Sequence, residues 1–400
     1  MAFHIPTHVS GRPVTNRGVH LHPGKYHGYW CGNVERRTMI LDMLESMSMS
    51  WVVILTGGDS VLEVFDGKAP VEWLLDRGII PIVRDHAKLP RAFENMATVN
   101  RLATIYQRYN VPLLFKLWNE PQDDREWVSE TAPDGWWGKF IGRWNAAAPL
   151  VVQNGGYPGF PDGPGYDFTE AHPFRDTDAL LWDDGLAWYG VHPYGKGRPL
   201  NYPYDDVSQH GTKLTVNRRN WALDDYAGHP AWTGPPLDEV NEQRGRWATP
   251  GKTILHDDTC WWAWKKVDHY ARETLGHPVP MAVVEGGFVP RDRPGGGPNT
   301  DYRWPHTTPK MVARKTLAMF EEDNPLFAIC PWLLADDEMG HGGWPFDAWY
   351  GWAYRDKYGL EKPVIQTLRD NPPDTQGPTA TDKITEARGV LNEALEAMTT

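Results

Sequence analysis

Short runs of apolar residues recur along the chain, and most of them are continuous instead of alternating with polar positions. Continuous runs are typical of strands that are buried on both faces, as the strands of a parallel sheet are. Eight such runs are predicted to be strands. They are Val14–Leu21, Ser50–Leu55, Ile79–Arg84, Pro112–Trp118, Pro149–Asn154, Leu186–His192, Val279–Val284 and Leu326–Leu334.

Between several of these runs, apolar residues recur at the spacing of an amphipathic helix. The clearest patterns are Val34–Ser46, Arg91–Tyr109 and Thr308–Glu321, and His256–Gly276 is predicted to be the helix before the seventh strand. Strand–helix alternation repeated in this way predicts an α/β fold, a closed (β/α)8 TIM barrel with long βα loops and a C-terminal helix. An open doubly wound sheet is the alternative, but no Gly-rich phosphate loop follows the first strand.

Two connections are much longer than the others. Residues 158–184 and 194–278 are rich in Pro, Gly and Trp, and loops of that length are usually functional or contain small elements. On a barrel, such loops build the face at the carboxyl ends of the strands. We predict one barrel domain over residues 1–375 and a helical tail over residues 376–400.

The composition excludes some classes of function. A chain of 400 residues can bury a large core without disulfides, and Cys31, Cys260 and Cys330 predict no disulfide framework. A net charge of −12 with no run of Lys and Arg argues against nucleic-acid binding. No segment is long and apolar enough to suggest a membrane span. Met1–Pro6 lacks signal-peptide features, so we expect a cytoplasmic protein, or a secreted one whose signal has been removed.

Two glutamates each follow a predicted strand. Glu120 lies in the triplet Asn119-Glu120-Pro121 after the fourth run, and Glu285 ends the seventh run. Two strands of a barrel therefore each bring one carboxylate to the same face. Paired carboxylates hydrolyse glycosidic bonds, because one protonates the leaving oxygen while the other attacks the sugar or activates water.

The chain resembles the retaining (β/α)8 glycoside hydrolases of clan A through four matches in the correct strand order. Asn119-Glu120-Pro121 is similar to that clan's acid/base motif, and Glu285 is similar to its nucleophile. His192-Pro193-Tyr194 after the sixth strand resembles the clan's His-x-Tyr, and Trp332 in the eighth resembles the Trp that floors the first sugar subsite. The resemblance covers about residues 14–335.

This resemblance implies a role for each residue. Glu120 is expected to act as general acid and then as base, which needs a pKa raised by burial. Glu285 is expected to be the nucleophile, and it needs hydrogen-bond donors to stay ionised. Asn119 is expected to donate to the sugar 2-hydroxyl. The candidate donors to Glu285 are Tyr194, His192 and Arg84.

The end of the third strand, Arg84-Asp85-His86, offers a further pocket residue. The resemblance implies that either Arg84 or His86 lines the pocket, and the alternative is a structural ion pair between Arg84 and Asp85. Family 5 of the clan would have an arginine near the second strand, where this chain has Thr56-Gly57-Gly58-Asp59. Families 5, 39 and 10 therefore remain open.

Aromatic residues supply further candidate substrate contacts. The 21 Trp are far above ordinary usage, and a Trp ring offers a flat apolar face that suits stacking on sugars. Packing beneath the long loops is the alternative for each of them. His20 is expected to make structural or substrate hydrogen bonds at the barrel mouth, and Gly286-Gly287 to leave room for a sugar. Trp136, Trp137, Trp304 and Trp344 are given more weight because they are predicted to lie in loops after strands. The candidate aromatic contacts are Trp118, Trp136, Trp137, Trp182, Trp188, Trp221, Trp232, Trp261, Trp262, Trp304, Trp344 and Trp349.

The predicted function is therefore hydrolysis of β-linked glycans with retention of configuration, and the predicted partner is a carbohydrate substrate. We favour an endo-β-glycanase acting on glucan, mannan or xylan, with an exo-acting β-glycosidase as the alternative. The two carboxylates suffice for this chemistry, so no metal or organic cofactor is predicted.

Two other classes remain to be weighed. A metal-dependent amidohydrolase barrel would use His20, His22, Lys116, His192 and Asp336 as metal-site residues. That class leaves the two glutamates without a role, and the fifth run ends without a histidine. A non-catalytic carbohydrate-binding barrel is disfavoured because the carboxylate pair is intact.

Overall fold

Eight parallel strands form one sheet in which each strand hydrogen-bonds to its neighbour along the chain. The computed structural model describes residues 4–21, 27–89, 96–162, 167–214, 237–289, 303–304, 309–335, 348–351 and 359–373. The strands are β1 (Gly18–His20), β2 (Trp51–Thr56), β3 (Ile80–Asp85), β4 (Leu113–Lys116), β5 (Gly156–Pro161), β6 (Trp188–Val191), β7 (Met281–Val283) and β8 (Leu326–Ile329).

The first and last strands meet, so the sheet closes into a barrel. Arg17 and Ile329 form a parallel bridge. The amide of Ile329 donates to the Asn16 carbonyl at 2.8 Å, and the amide of His20 donates to the Pro331 carbonyl at 2.9 Å. This closure confirms the predicted (β/α)8 barrel.

Helices connect the strands around the outside of this barrel. The predicted helix Val34–Ser46 is observed with those bounds, and Asn33 caps its first turn by accepting from the Arg36 amide at 2.9 Å. Additional helical elements are Gly28–Cys31, Ser60–Leu62, Asp124–Glu126, Pro173–Asp176, Asp206–His210 and Leu237–Arg246. The main helices are α1 (Val34–Ser46), α2 (Pro70–Asp76), α3 (Met96–Arg108), α4 (Trp136–Gln153), α5 (Ala179–Asp183), α6 (Ala263–Leu275), α7 (Pro309–Glu321) and α8 (Pro363–Asp370).

The prediction of the fifth strand was wrong. Residues Pro149–Asn154 end α4 instead of forming a strand, and Val151 faces the core from that helix. Gly155, with φ of 85°, breaks the helix, because glycine adopts this left-handed conformation without strain. The true fifth strand, Gly156–Pro161, pairs in parallel with β4 and β6. Its sequence, Gly-Tyr-Pro-Gly-Phe-Pro, has little intrinsic strand propensity, so tertiary pairing determines it.

Aromatic rings fill the barrel at the amino ends of its strands. Trp51 of β2 packs on Phe327 of β8 with 5.6 Å between ring centroids, and Trp188 of β6 packs on the same ring at 5.9 Å. Side chains from alternate strands form layers in this way in TIM barrels. These rings occupy the barrel interior near the amino ends of the strands. We therefore expect the functional site at the carboxyl ends.

The long connection after β6 contains small elements of its own, as its length suggested. Tyr194–Lys196 pairs in parallel with Gly287–Phe288 beyond β7. Farther along, Tyr202, Ile254 and Cys260 form a satellite hydrophobic cluster. Trp221 and Trp232, named above as substrate contacts, lie outside the described residues.

Several other expectations can be compared with the described part of the chain. Cys31, Cys260 and Cys330 are free and buried. Within the ranges given above, no helix has both the length and the apolar character needed to cross a membrane. The predicted tail over 376–400 and the candidates His22, Asp336 and Trp344 lie outside the described residues.

Candidate active site

Glu120 and Glu285 lie together at the carboxyl ends of β4 and β7. A carboxylate oxygen of Glu120 lies within 4.8 Å of one of Glu285. Their side chains are only 10 % and 13 % exposed, so water screens their interaction weakly. Tyr194 joins the pair, because its hydroxyl lies 2.7 Å from Glu285 Oε1 and 3.0 Å from Glu120 Oε1. One hydroxyl proton serves one acceptor, so this bridge is fully satisfied when one carboxyl group carries a proton.

The backbone that presents Glu120 is unusual. Trp118 and Glu120 both adopt positive φ angles, of 56° and 23°. For residues other than glycine such conformations cost about 1–3 kcal/mol each and cluster at functional sites. After β4 ends at Lys116, this segment presents the Glu120 carboxyl group to Glu285.

Arg84 of β3 holds Glu285. Its Nη1 donates to Glu285 Oε2 at 2.6 Å, and both side chains are largely buried. Burial alone would lower the pKa of Arg84, but the charges of Glu285, Glu126 and Glu120 outweigh it and raise that pKa. Arg84 is therefore a permanent cation against Glu285, and it bonds this carboxylate instead of Asp85. His86, the other candidate at this strand end, is exposed.

A chain of hydrogen bonds runs behind Glu120. His192 Nδ1 lies 2.8 Å from Glu120 Oε1, and His192 Nε2 lies 2.9 Å from Lys116 Nζ. Lys116 Nζ also donates to Asn119 Oδ1 at 2.8 Å, and Asn119 Nδ2 donates to Glu126 Oε1 at 3.0 Å. Four polar side chains, those of His192, Lys116, Asn119 and Glu126, are thus fixed relative to one another behind Glu120.

Burial changes the proton affinity of Glu120 and Glu126, the two carboxyl groups in this chain of hydrogen bonds. It raises the pKa of Glu120, and the Tyr194 hydrogen bond and the charges of Lys116 and Arg84 only partly oppose this rise. Burial also raises the pKa of Glu126, against the opposing charge of Arg84. Glu120 therefore holds a proton at a higher pH than an ordinary glutamate does.

The basic groups are shifted in the opposite direction. Burial, together with the charge of Arg84, lowers the pKa of Lys116 to about 7. Burial and the charge of Lys116 lower the pKa of His192 well below its ordinary value. Burial and the charges of Glu285 and Glu120 raise the pKa of Tyr194, so this hydroxyl keeps its proton.

The sequence suggested that the glycines after Glu285 leave room for a sugar. The space beside them is instead occupied by protein atoms. Gly286 has φ of 94°, and a Cβ there would lie 2.8 Å from the backbone carbonyl of Pro193. The amide of Gly287 donates to that same carbonyl at 2.9 Å. The glycines therefore let the segment bearing Tyr194 approach the segment bearing Glu285, which is how one hydroxyl reaches both carboxylates.

Trp332 and His20 lie where β8 and β1 meet. The rings are 4.5 Å apart and tilted by 54°, and the amide of Trp332 donates to the Gly286 carbonyl at 2.9 Å. His20 is fully buried, while Trp332 is partly exposed. Trp332 is thus held against the residue that follows Glu285.

Within the described part of the chain, the other tryptophan candidates pack against protein side chains, and Trp182, Trp188, Trp261 and Trp349 are buried. Trp118 is 1 % exposed and its ring contacts Phe140 of α4 edge-on at 6.1 Å. Trp136 and Trp137 begin α4 and so do not lie in a loop; the Trp137 indole donates to Asp176 at 2.8 Å. Apolar packing along the buried face of α4 explains these positions. Trp304 packs on Tyr202 in the satellite cluster, with ring centroids 5.5 Å apart.

Glu120, His192 and Glu285 offer three ligand atoms within 4.8 Å of one another, a spacing that a metal ion needs. The surrounding charges do not fit such an ion. Arg84 already bonds Glu285, and Lys116 Nζ lies 2.9 Å from His192. A divalent cation here would face both of these basic groups, whereas a carboxyl pair that shares one negative charge is balanced by Arg84 alone.

Sequence reasoning missed two members of the site. Lys116 was considered only as a possible metal-site residue, and Glu126 was not considered at all. Alternation within β4 could have placed Lys116 on the inner face with Leu114, but Glu126 lies in a short 3-10 turn after the motif. No local pattern marks such a turn residue as a partner of Asn119.

The raised pKa of Glu120 gives a prediction for stability. Protonation of Glu120 stabilises the folded state, and this contribution is complete below its ordinary pKa of 4.5 and lost as the pH rises through the folded value. The permanently neutral Glu120→Gln variant is therefore expected to unfold at a higher temperature than the wild type at about pH 8, with the difference vanishing near about pH 4. Calorimetry at both pH values measures this. Exposed Glu130 provides the control Glu130→Gln, and a lower midpoint for Glu120→Gln at the higher pH would contradict the prediction.

No protein-family model and no curated protein sequence matches this chain. Among solved structures it is similar to the endoglucanase Cel5A of Thermotoga maritima, with 13 % identity, a TM-score of 0.42, and coverage of 88 % of this chain and 96 % of that chain. It is also similar to the cellulose synthase subunit Z of Clostridioides difficile, with 14 % identity, a TM-score of 0.42, and coverage of 88 % of this chain and 99 % of that chain. A third similar structure is a beta-glucuronidase of Faecalibacterium prausnitzii, with 12 % identity, a TM-score of 0.46, and coverage of 92 % of this chain and 51 % of that chain. At such identities and TM-scores these likenesses carry no weight, and the fold assignment rests on the strand order and barrel closure.

Proposed function

We propose that this protein is a retaining glycoside hydrolase in which Glu120 is the acid/base and Glu285 the nucleophile. The observation that supports it best is the close approach of two buried carboxylates, within 4.8 Å, in unlike surroundings. Retaining enzymes hold their carboxyl groups about 5–5.5 Å apart, and inverting enzymes about 6.5–9.5 Å apart to admit a water molecule. The separation here matches direct attack on the sugar.

The surroundings support a different role for each glutamate. Glu285 is bonded by Arg84 at 2.6 Å and by Tyr194 at 2.7 Å, and donors of this kind stabilise the ionised form that a nucleophile needs. The pKa of Glu120 is raised by burial, which suits a group that must carry a proton to the leaving oxygen.

In the first step of the proposed reaction, Glu285 attacks the anomeric carbon while Glu120 protonates the departing oxygen. In the second step, Glu120 takes a proton from water as that water displaces Glu285 from the sugar. The water attacks the glycosyl-enzyme from the face that the leaving group had occupied, so the original configuration is restored. Each step uses groups already within bonding reach of one another, so little reorganisation is required.

We further propose a β-linked glycan as substrate, cleaved internally, with an exo-acting β-glycosidase as the alternative. Trp332, partly exposed beside Glu285, is placed to stack on the sugar at the cleavage point. Tyr194–Lys196, at the start of the long connection after β6, pairs with Gly287–Phe288 beyond β7, which supports a site that extends past the two carboxylates.

Stereochemistry and product length test this proposal. Proton NMR of a fresh digest of an aryl β-glycoside should show the β-anomer first, and chromatography of digests of glucan, mannan and xylan should show which is cut internally. Release of the α-anomer first would overturn the retaining mechanism. Release of monosaccharide alone would favour the exo-acting alternative, and failure to cleave any of these glycosides would overturn the assignment as a glycosidase.

Tyr194 gives a prediction because its hydroxyl contacts both carboxylates. The variant Tyr194→Phe is expected to lower kcat/KM by roughly 10- to 100-fold, equivalent to losing one hydrogen bond to a charged group. Steady-state kinetics with an aryl glycoside measures the loss. Tyr106 is a buried tyrosine on α3 whose hydroxyl donates to the Pro81 carbonyl, and Tyr106→Phe is the matched control. Equal losses in the two variants would mean that the effect of Tyr194 is only structural.

A further inference from the structure

The loop that follows β4 turns back toward the carboxylate pair and brings a third glutamate with it. Glu126 ends the short 3-10 turn Asp124–Glu126, and its Oε1 accepts from Asn119 Nδ2 at 3.0 Å. Asn119 directly precedes Glu120 and is buried, whereas Glu126 is half-buried. A carboxylate that the two-step reaction does not use is thus bonded to the neighbour of the proposed acid/base.

The backbone of this loop is fixed without help from the Glu126 side chain. The amide of Leu89, beyond β3, donates to the Glu126 carbonyl at 2.8 Å. The next residue, Trp127, is 1 % exposed, and its indole donates to the Pro121 carbonyl at 2.8 Å. Because these bonds hold the loop, the bond between Glu126 and Asn119 is available to orient the asparagine.

Both ends of the Asn119 amide are held by groups of matching chemistry. Lys116 Nζ donates to Asn119 Oδ1 at 2.8 Å, while Glu126 accepts from Nδ2. An ammonium group cannot accept and an ionised carboxylate has no hydrogen to donate, so turning the amide over would break both bonds. Glu126 takes one hydrogen of Nδ2, and the second has no acceptor among the described residues. This second hydrogen is left for a ligand.

The place of Glu126 is unfavourable for stability. Burial and the charges of Glu120 and Glu285 raise its pKa, although the charge of Arg84 opposes them. Like charges brought together in a poorly hydrated site repel one another. A carboxylate that served only to hold the loop would be better placed away from the other two, so its position supports a role in the reaction.

We propose that Glu126 is a positioning residue that fixes the Asn119 amide, so that its second Nδ2 hydrogen is donated to the hydroxyl beside the anomeric carbon. This inference rests on the proposed function, since that 2-hydroxyl belongs to the sugar that Glu120 and Glu285 act on. Hydrogen bonds to the 2-hydroxyl strengthen in the transition state of glycoside hydrolysis. A donor that is already held in place needs no reorganisation at that moment.

Two variants of Glu126 separate the hydrogen bond from the charge. Glu126→Ala removes the acceptor, and kcat/KM for an aryl glycoside is expected to fall by roughly 10- to 100-fold, as for the loss of one hydrogen bond to a charged group. The loss should appear mainly in kcat, because the affected bond strengthens in the transition state. Glu126→Gln keeps a carbonyl oxygen as acceptor and should retain most of the activity. Equal losses in the two variants would show that the charge matters instead, and would overturn the proposal.

Glu72 provides the matched control. Its side chain is 18 % exposed, and its Oε2 accepts from the Ala69 amide at 3.0 Å. Glu72→Ala therefore also removes a partly buried carboxylate that accepts a hydrogen bond, but on α2 and away from Asn119. Wild-type kinetics are expected for Glu72→Ala. A loss as large as that of Glu126→Ala would assign the effect to general destabilisation.

The substrate and Asn119 itself test the route by which Glu126 acts. With the matching 2-deoxy glycoside, Glu126→Ala is expected to react as fast as the wild type, whereas a misfolded fraction would slow both substrates alike. In the Asn119→Ala background, adding Glu126→Ala should cost nothing further, since two residues that act as a unit are not additive. A loss that persists with the 2-deoxy glycoside, or that adds in full to that of Asn119→Ala, would overturn the proposal.

Hydrogen exchange of the Asn119 side-chain amide, followed by ¹H–¹⁵N NMR, needs no turnover. Exchange is expected to be faster in Glu126→Ala than in the wild type, Glu126→Gln and Glu72→Ala. If the wild type hydrolyses no glycoside, the proposed function and the part played by the 2-hydroxyl both fail, while the exchange still shows whether Glu126 holds Asn119. If glycosides are hydrolysed and neither kcat nor the exchange responds to Glu126→Ala, the positioning role fails and the proposed function stands.

Discussion

Replacing Glu285 with alanine is expected to reduce kcat by roughly 10⁶-fold, the scale seen when the nucleophile of a covalent mechanism is removed. In the proposed reaction Glu285 forms the bond to the anomeric carbon, and no other described carboxylate is held by Arg84 and Tyr194 together. The cavity left by the side chain should admit a small anion. Azide is therefore expected to restore turnover in Glu285→Ala and to give a glycosyl azide of inverted configuration.

Glu361 provides the matched control for this variant. It pairs with Arg369 of α8, so Glu361→Ala also breaks a glutamate–arginine pair, but away from the two carboxylates. Wild-type kinetics are expected for Glu361→Ala. A loss in Glu285→Ala of only tenfold, or an azide product with retained configuration, would remove Glu285 as the nucleophile.

Replacing Glu120 with alanine is expected to have the second largest effect, and the size of that effect should depend on the leaving group. General acid catalysis contributes about 10²- to 10⁴-fold, so hydrolysis of an alkyl glycoside or an oligosaccharide should fall by that factor. The first step with a dinitrophenyl glycoside should change little, because dinitrophenolate leaves without a proton. The second step should then limit turnover, and azide should accelerate it and give a product of retained configuration.

Pre-steady-state kinetics separates these two steps, since a burst of dinitrophenolate reports the first one. Glu130→Ala is the control, because Glu130 is 77 % exposed and lies in the same loop after β4. An equal loss for good and poor leaving groups would contradict acid catalysis by Glu120. Rescue by azide with inversion would instead assign the nucleophile's role to Glu120.

The barrel and its two strand-end glutamates were predictable because both follow from local sequence. Seven of the eight strands are buried apolar runs that periodicity identifies, and Glu120 and Glu285 follow two of them. Strand β5 was not predictable, because Gly156–Pro161 is a strand only through its pairing with β4 and β6. Conversely, Pro149–Asn154 is apolar enough for a strand but continues the buried face of α4.

The contacts behind the carboxylates depend on residues that are distant in the sequence, and spacing alone did not identify them. Lys116 meets His192 across 76 positions, and Arg84 meets Glu285 across 201. The resemblance supplied Arg84, His192 and Glu285, but neither Lys116 nor the pairs of atoms that bond. Burial decides the pKa shifts of Lys116 and Glu120, and burial of a polar side chain depends on the whole barrel.

The seam between β1 and β8 has a consequence for how the protein is made. Pro331 closes this seam through the amide of His20, and Trp332 beside it bonds Gly286. A ribosome synthesises Glu120, His192, Tyr194 and Glu285 before it reaches these residues. Until β8 emerges, the edges of β1 and β7 have no partner strand and invite association with other chains. A nascent or prematurely terminated chain is therefore prone to aggregate and lacks Trp332 of the proposed sugar site, and both conditions end when β8 and the residues after it join β1.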